Sequence, residues 1–133
     1  DRQTFTAWAG IVARRPDAAL WIILFASAAE ASLRQLASQL GLPAHQLVFT
    51  PPLPAQHHLA VKAAADVFLD ARPFNAHSTL GDALHAGLPA LTLPGEKVAA
   101  RVASGILMGA SLSFMVARTW TDYVEMGVRV GRD

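Results

Sequence analysis

The stretch "FLDARPFNAHSTLGDALHAGLPALTLPGE", residues 68–96, decides how the chain is read. An apolar run ends at Asp70, and a polar loop follows that closes on His77-Ser78-Thr79. A short amphipathic segment then runs to Gly87, and a second apolar run, Ala90 to Leu93, breaks on Pro94-Gly95-Glu96. Strand, loop, helix and strand in that order make a βαβ unit, whose strands lie parallel. Glycine just past a periodic segment is a helix stop, so 79–86 reads as a helix ended by Gly87.

Outward from this unit the alternation continues. Phe5, Trp8, Ala9 and Val12 have helical spacing within 4–15, and Pro16 ends that segment. Leu20 to Phe25 is a continuous apolar run of strand length. Leu33, Leu36, Ala37 and Leu40 form one helical stripe in 30–40, closed by Gly41. Residues 47–50 read as a strand stopped by Pro51-Pro52, 55–65 as a helix and 67–69 as a strand. Helices are expected over 97–108 and 121–130. Apolar strands alternating with helices predict one α/β domain over 1–133, a doubly wound, Rossmann-like parallel sheet covered on both faces. The sheet is expected to contain 20–25, 47–50, 67–69 and 90–93, with the loops 51–58 and 71–79 at one edge.

Composition supports burial. Of the 133 residues, 16% are charged, against about 25% in ordinary globular domains. A net charge of +1 gives no general attraction to nucleic acid or to a membrane surface. There is no cysteine, which excludes a disulfide framework, thiol catalysis and a cysteine zinc site. The most apolar run, Ala18 to Ala29, is too short to span a bilayer, which needs roughly 20 residues. The chain begins at Asp1 without a methionine, as expected of a piece of a longer protein.

Open parallel sheets take ligands beyond the carboxyl ends of their strands, which points to the loops after Phe25, Thr50, Asp70 and Leu93. If His77 or Ser78 caps the following helix, the N–H groups of Thr79, Leu80 and Gly81 face the loop. Together with the helix dipole they form an anion site suited to a diphosphate. Ser78 and Thr79 add hydroxyls, and Gly81 allows close approach. Asp82 lies one turn beyond Ser78 on the same face, where a carboxylate suits two vicinal ribose hydroxyls. His77 is placed to donate to phosphate or sugar. The same residues also read as an ordinary capped helix start with an acid favoured by the dipole. His57 and His58 open the 55–65 helix. Adjacent histidines point apart and no acid follows at i+3 or i+4, which disfavours a metal site; His57 reads as solvated, and His45 and His85 as structural or surface residues. Pro94-Gly95 reads as a tight turn whose glycine supplies an unusual conformation or a close approach, and Glu96 as the start of the next helix. Glycine-rich dinucleotide and P-loop signatures are absent from the sequence.

"LWIILFASAAE" (20–30), "LGLPAHQLVFTPPLP" (40–54) and "ADVFLDARPFNAHSTLGDALHAGLPALTLPGEKVAARVAS" (65–104) carry a resemblance. They contain D-x-x-x-x-N-x-H-[ST]-T-x-x-D and P-G-E-x-x-x-x-R-V-A-S. In this order they resemble the C-terminal catalytic lobe of the O-linked N-acetylglucosamine transferases and SPINDLY-like protein O-glycosyltransferases. The resemblance implies the nucleotide-binding C-terminal lobe of a two-lobed GT-B enzyme, usually preceded by tetratricopeptide repeats. It implies a UDP-sugar donor, a protein Ser or Thr acceptor, no metal or other cofactor, and a cytoplasmic or nucleocytoplasmic location. By the matched motif, His58 would sit against uracil and the backbone near Leu53 would read the base edge. His77, Ser78 and Thr79 would contact diphosphate and sugar, and Asp82 the ribose; no catalytic residue is assigned.

This chain also departs from the family. Ala55 stands where a lysine is usual and Val61 where an arginine is usual, with Lys62 beside it as a substitute. The family's further phosphate-binding Gln and Lys and its N-terminal lobe would lie upstream of Asp1. These losses favour the alternative of a divergent lobe kept as a binding or structural subunit. Retention of His58, His77, Ser78, Thr79 and Asp82 favours the transferase. A nucleotide-sugar epimerase of the same two-lobed fold is a more distant reading.

Overall fold

The computed structural model describes residues 1–130. Helix α1 (Arg2–Ala13) is capped by Asp1, whose carboxylate accepts from the N–H groups of Gln3 and Thr4; such a cap contributes about 1 kcal/mol. It starts two residues before the periodic stripe because the cap, and not the first apolar residue, sets where it begins. Its apolar residues divide between two cores. Phe5, Ala9 and Val12 join one with Leu20, Ala37, Leu42 and Leu47, and Ala7 and Ile11 join the other with Leu80, Leu91, Leu107 and Tyr123. Trp8 touches both.

Strand β1 (Leu20–Ile23) pairs in parallel with β2 (Leu47–Thr50), in register from Leu20↔Leu47 to Ile23↔Thr50. The chain between them is helix α2 (Ala28–Gln39) and a 3₁₀ turn at 44–46. After α3 (Ala55–Lys62) comes β3 (Phe68–Leu69), then α4 (Ser78–His85) and β4 (Ala90–Leu91), parallel to β3 with Phe68↔Ala90 and Leu69↔Leu91. Helices α5 (Val102–Gly109) and α6 (Trp120–Val130) follow. A parallel bridge, Thr92↔Val116, lies beside β4. Among the described residues no helix is long and apolar enough to cross a membrane.

The expected α/β order is observed, but the four strands form two two-stranded ladders rather than one continuous one. β3 and β4 are ladder-paired over only two residues each, because the chain turns at Asp70 to deliver the following loop. The two cores meet at Trp8 and Leu69 by side-chain packing. The first strand also stops sooner than expected. Leu24 donates to the Thr50 carbonyl (2.9 Å) and Phe25 beyond it is 83% exposed.

Gly41 (φ 74°) and Gly87 (φ 77°) end α2 and α4 in the left-handed conformation that favours glycine. In each case the next residue closes the turn: Leu42 N–H donates to Ala37 O and Leu88 N–H to Ala83 O, both at 2.9 Å. The end of α5 repeats the pattern with Ser111 (φ 61°), whose neighbour Leu112 donates to Leu107 O (2.8 Å). Buried Gln46 seals the α1–β1 turn, its amide donating to the carbonyls of Val12, Arg15 and Ala18.

Candidate functional site

The loop after β3 is held from below by Asp70, which is 3% exposed. Its carboxylate accepts from the Ala76 N–H (2.7 Å) and from the Thr92 hydroxyl (2.6 Å). Its carbonyl accepts from the hydroxyl of fully buried Tyr123 (2.8 Å), which in turn accepts from Trp8 Nε1 (3.0 Å). One acid thus ties the loop to β4, α6 and α1. Burial raises the Asp70 carboxyl above its ordinary value, and the bonds from Thr92 and Ala76 offset part of that shift. Burial likewise pushes the Tyr123 phenol far up.

Two further attachments fix the loop. Fully buried Asn75 donates its side-chain amide to Ala71 O and its N–H to Ala99 O, both at 2.8 Å. Arg72 donates to Pro94 O (3.3 Å), with its guanidinium 6.0 Å from the Trp120 ring centre. Gly95 N–H donates to Ala100 O (2.7 Å), and a β-carbon on Gly95 would lie 2.7 Å from that of Ala100. Gly95 therefore serves close approach; its φ is not left-handed. Glu96 does not open the next helix as expected. A 3₁₀ turn at 98–100 intervenes and α5 begins at Val102, leaving Glu96 exposed in the bend.

This scaffold presents the start of α4. His77 occupies the N-cap position, yet neither it nor Ser78 caps the helix through its side chain. The His77 ring stacks on exposed Phe74, centroids 4.9 Å apart and planes 19° apart. The set of open amides differs from expectation. Leu80 and Gly81 N–H both donate to the His77 carbonyl (3.1 and 3.3 Å). Ser78 and Thr79 N–H have no partner among the described residues. The helix thus begins tightly on the His77 carbonyl, leaving two donors at the dipole's positive end. His77, Ser78, Thr79 and Asp82 are all exposed, and the space above Gly81 is open.

Asp82 lies 3.3 Å from Lys62 Nζ, which is also 3.3 Å from the Thr79 carbonyl. The Lys62 side chain is 8% exposed and the Asp82 side chain 57%. Lys62 is thus engaged with α4 and is not a free cation replacing the arginine missing at Val61. His58 stands one turn before Lys62 on the same face of α3; it is half-buried, and its Nδ1 has no partner among the described residues. Leu53 is half-buried in the irregular segment leading into α3, while Ala55 and His57 are exposed. The structure therefore gathers His77, Ser78, Thr79 and Asp82 at one helix start and links α3, the helix of His58, to it through Lys62.

Sequence reasoning missed the supports. Asp70, Thr92, Tyr123 and Trp8 meet across separations of up to 115 residues, which no local spacing reveals. Two surface grooves lie elsewhere, one between α1 and α2 near Phe5 and Leu36, the other between α1 and α6 near Ala7 and Trp120. Both are lined largely by ordinary helix-surface side chains and lack the convergent donors of the α4 start, so the chemistry favours the latter as the site. No group of three or more His, Asp or Glu among the described residues is arranged to hold a metal ion.

Comparison with known proteins adds to this geometry. The sequence model of glycosyl transferase family 41 matches residues 1–133. The chain is 35% identical over 129 residues to the probable UDP-N-acetylglucosamine–peptide N-acetylglucosaminyltransferase SEC of Arabidopsis thaliana, covering 96% of this chain and 13% of that protein. It is 33% identical over 133 residues to the UDP-N-acetylglucosamine–peptide N-acetylglucosaminyltransferase of Caenorhabditis elegans, covering 100% of this chain and 12% of that one. A solved structure, a mutant O-GlcNAc transferase of Thermobaculum terrenum, superposes with a TM-score of 0.92 at 31% identity. That match covers 97% of this chain and 25% of the other.

Proposed function

Because the chain belongs to glycosyl transferase family 41, we propose that it is the nucleotide-sugar-binding lobe of a nucleocytoplasmic protein O-glycosyltransferase. The reaction is transfer of N-acetylglucosamine, or a related sugar, from a UDP donor to protein Ser or Thr. The observation that carries this reading is the α4 start, where two open amides at Ser78 and Thr79 stand one turn from the exposed Asp82 carboxylate. In this reading those amides and hydroxyls, with His77, hold the diphosphate, and Asp82 accepts from the ribose hydroxyls. His58 lies against the uracil, and the backbone near Leu53 meets the base edge. The helix end then stabilises the charge that grows on the departing nucleoside diphosphate, where fixed donors count most. The N-terminal lobe and the acceptor protein complete the site.

A second reading, a lobe that binds without turnover, is favoured by one set of residues. Ala55 is exposed and uncharged, Val61 carries no cation, and Lys62 is engaged with Asp82 and Thr79. Each charge-assisted hydrogen bond lost beside a diphosphate costs about 1.5–3 kcal/mol. Calorimetry of the full chain with UDP and GDP tests the proposal. UDP is expected to bind, and Asp82→Asn to weaken it about ten- to a hundredfold. Absence of UDP binding would overturn the proposal, and equal affinities would remove Asp82 from the site. Binding without sugar transfer in the full chain would select the second reading.

A further inference from the structure

Helix α3 buries no apolar side chain; its one buried residue is Lys62. Lys62 is also the only basic residue among those buried in the described chain. A leucine or methionine there would hold α3 on α4 with less desolvation, so the position of its amine needs another explanation. Nζ lies equidistant, at 3.3 Å, from the Thr79 carbonyl and from Asp82 Oδ2. The first contact grips the turn that bears the open amides, and the second grips the carboxylate one turn on.

We propose that Lys62 is a positioning residue for the nucleotide: it sets the orientation of Asp82 and cancels its charge. The inference rests on the nucleotide-binding reading above and deepens it. A carboxylate close to an anion cradle repels the diphosphate that the cradle attracts. Pairing with Lys62 lowers that repulsion while leaving the second carboxylate oxygen for ribose hydroxyls. The same contact fixes α3 against α4, and with it His58, one turn earlier on the same face. A cation that would otherwise serve the phosphates directly is here engaged by the acid beside them, in a chain whose α3 carries the uncharged Ala55 and Val61.

The test is a double-mutant cycle read in UDP affinity, using full chains of wild type, Lys62→Met, Asp82→Asn and the double variant. Methionine keeps the length and apolar stem of lysine, so α3 retains its packing. Lys62→Met is expected to weaken UDP about tenfold in the wild-type background and less than about threefold beside Asp82→Asn. A brace that merely holds α3 in place would weaken UDP by the same factor in both backgrounds, and that result overturns the proposal. Unchanged affinity in Lys62→Met, with a loss in Asp82→Asn, overturns the role of Lys62 and leaves the nucleotide reading standing. No UDP binding by the wild type overturns both. Lys62→Gln, which retains a donor for the Thr79 carbonyl without the charge, replaces Lys62→Met if that variant is unfolded at the assay temperature, with the same coupling expected.

Discussion

Replacing Tyr123 by phenylalanine removes a single oxygen from the point where α1, α6 and the loop after β3 meet. The side chain is fully buried, so water cannot take the oxygen's place. Two groups lose their partner: the Asp70 carbonyl, bonded at 2.8 Å, and Trp8 Nε1, bonded at 3.0 Å. A buried polar group left unpaired costs about 1–3 kcal/mol. The Trp8 side is only partly enclosed and recovers some solvation, which sets the expected loss at about 2–3 kcal/mol. For a domain of this size that lowers the melting temperature by roughly 6–12 °C. Urea unfolding followed by tryptophan fluorescence measures it, with the slope m unchanged if only the native state is affected. Adding Trp8→Phe completes a cycle, in which the second substitution is expected to cost at least 0.5 kcal/mol less once the hydroxyl is gone, near the threshold of about 0.5 kcal/mol for contacting residues. A loss below about 0.5 kcal/mol for Tyr123→Phe, or simple additivity with Trp8→Phe, would refute the claim that this hydroxyl joins the three elements.

Two other substitutions probe the same scaffold. Burial holds the Asp70 carboxyl above its ordinary value, so the folded state binds that proton more tightly than the unfolded one. Wild-type stability from this group is then fullest on the acid side and declines as pH rises from about 4 through the raised value. Asparagine does not titrate, so the stability of Asp70→Asn relative to wild type is expected to improve between pH 3 and 7 by urea midpoints; a flat or opposite trend contradicts the assignment. In Gly95→Ala the new methyl meets the buried Ala100 methyl at 2.7 Å, and overpacking of this kind costs about 1–3 kcal/mol. A thermal melt equal to wild type would mean that the 94–100 turn yields freely.

The elements that could be read from sequence were those whose cause is local. The apolar runs at Leu20 and Leu47 and the stripe ending at Gly41 announce themselves by spacing. Gly41 and Gly87 occupy the left-handed positions that helix ends require. Ser111 takes the same conformation without a glycine, and nothing in its neighbours signals it. Glu96 departs from expectation because an acid after Pro-Gly resembles a first helical turn, whereas here a 3₁₀ turn at 98–100 comes before α5. The division into two ladders, with Trp8 and Leu69 packed against both cores, is an outcome without a periodic signature. The helix start that brings 77–82 together was legible because it is a local motif. Which amides stay open was not, since that depends on the His77 carbonyl taking two donors. Lys62 reads in the sequence as a substitute for the arginine missing at Val61, whereas its amine is buried against Thr79 and Asp82 of α4, a contact between residues 17 and 20 apart that spacing does not reveal.

In the function proposed above, the start of α4 receives a nucleoside diphosphate. A crystal structure of the full chain with UDP tests it most directly. Diphosphate oxygens are expected within hydrogen-bonding distance, about 2.7–3.2 Å, of the Ser78 and Thr79 amides, with the ribose hydroxyls on Asp82 while Asp82 keeps its contact with Lys62. UDP bound away from α4, or bound there with Asp82 turned from the ribose, would contradict it.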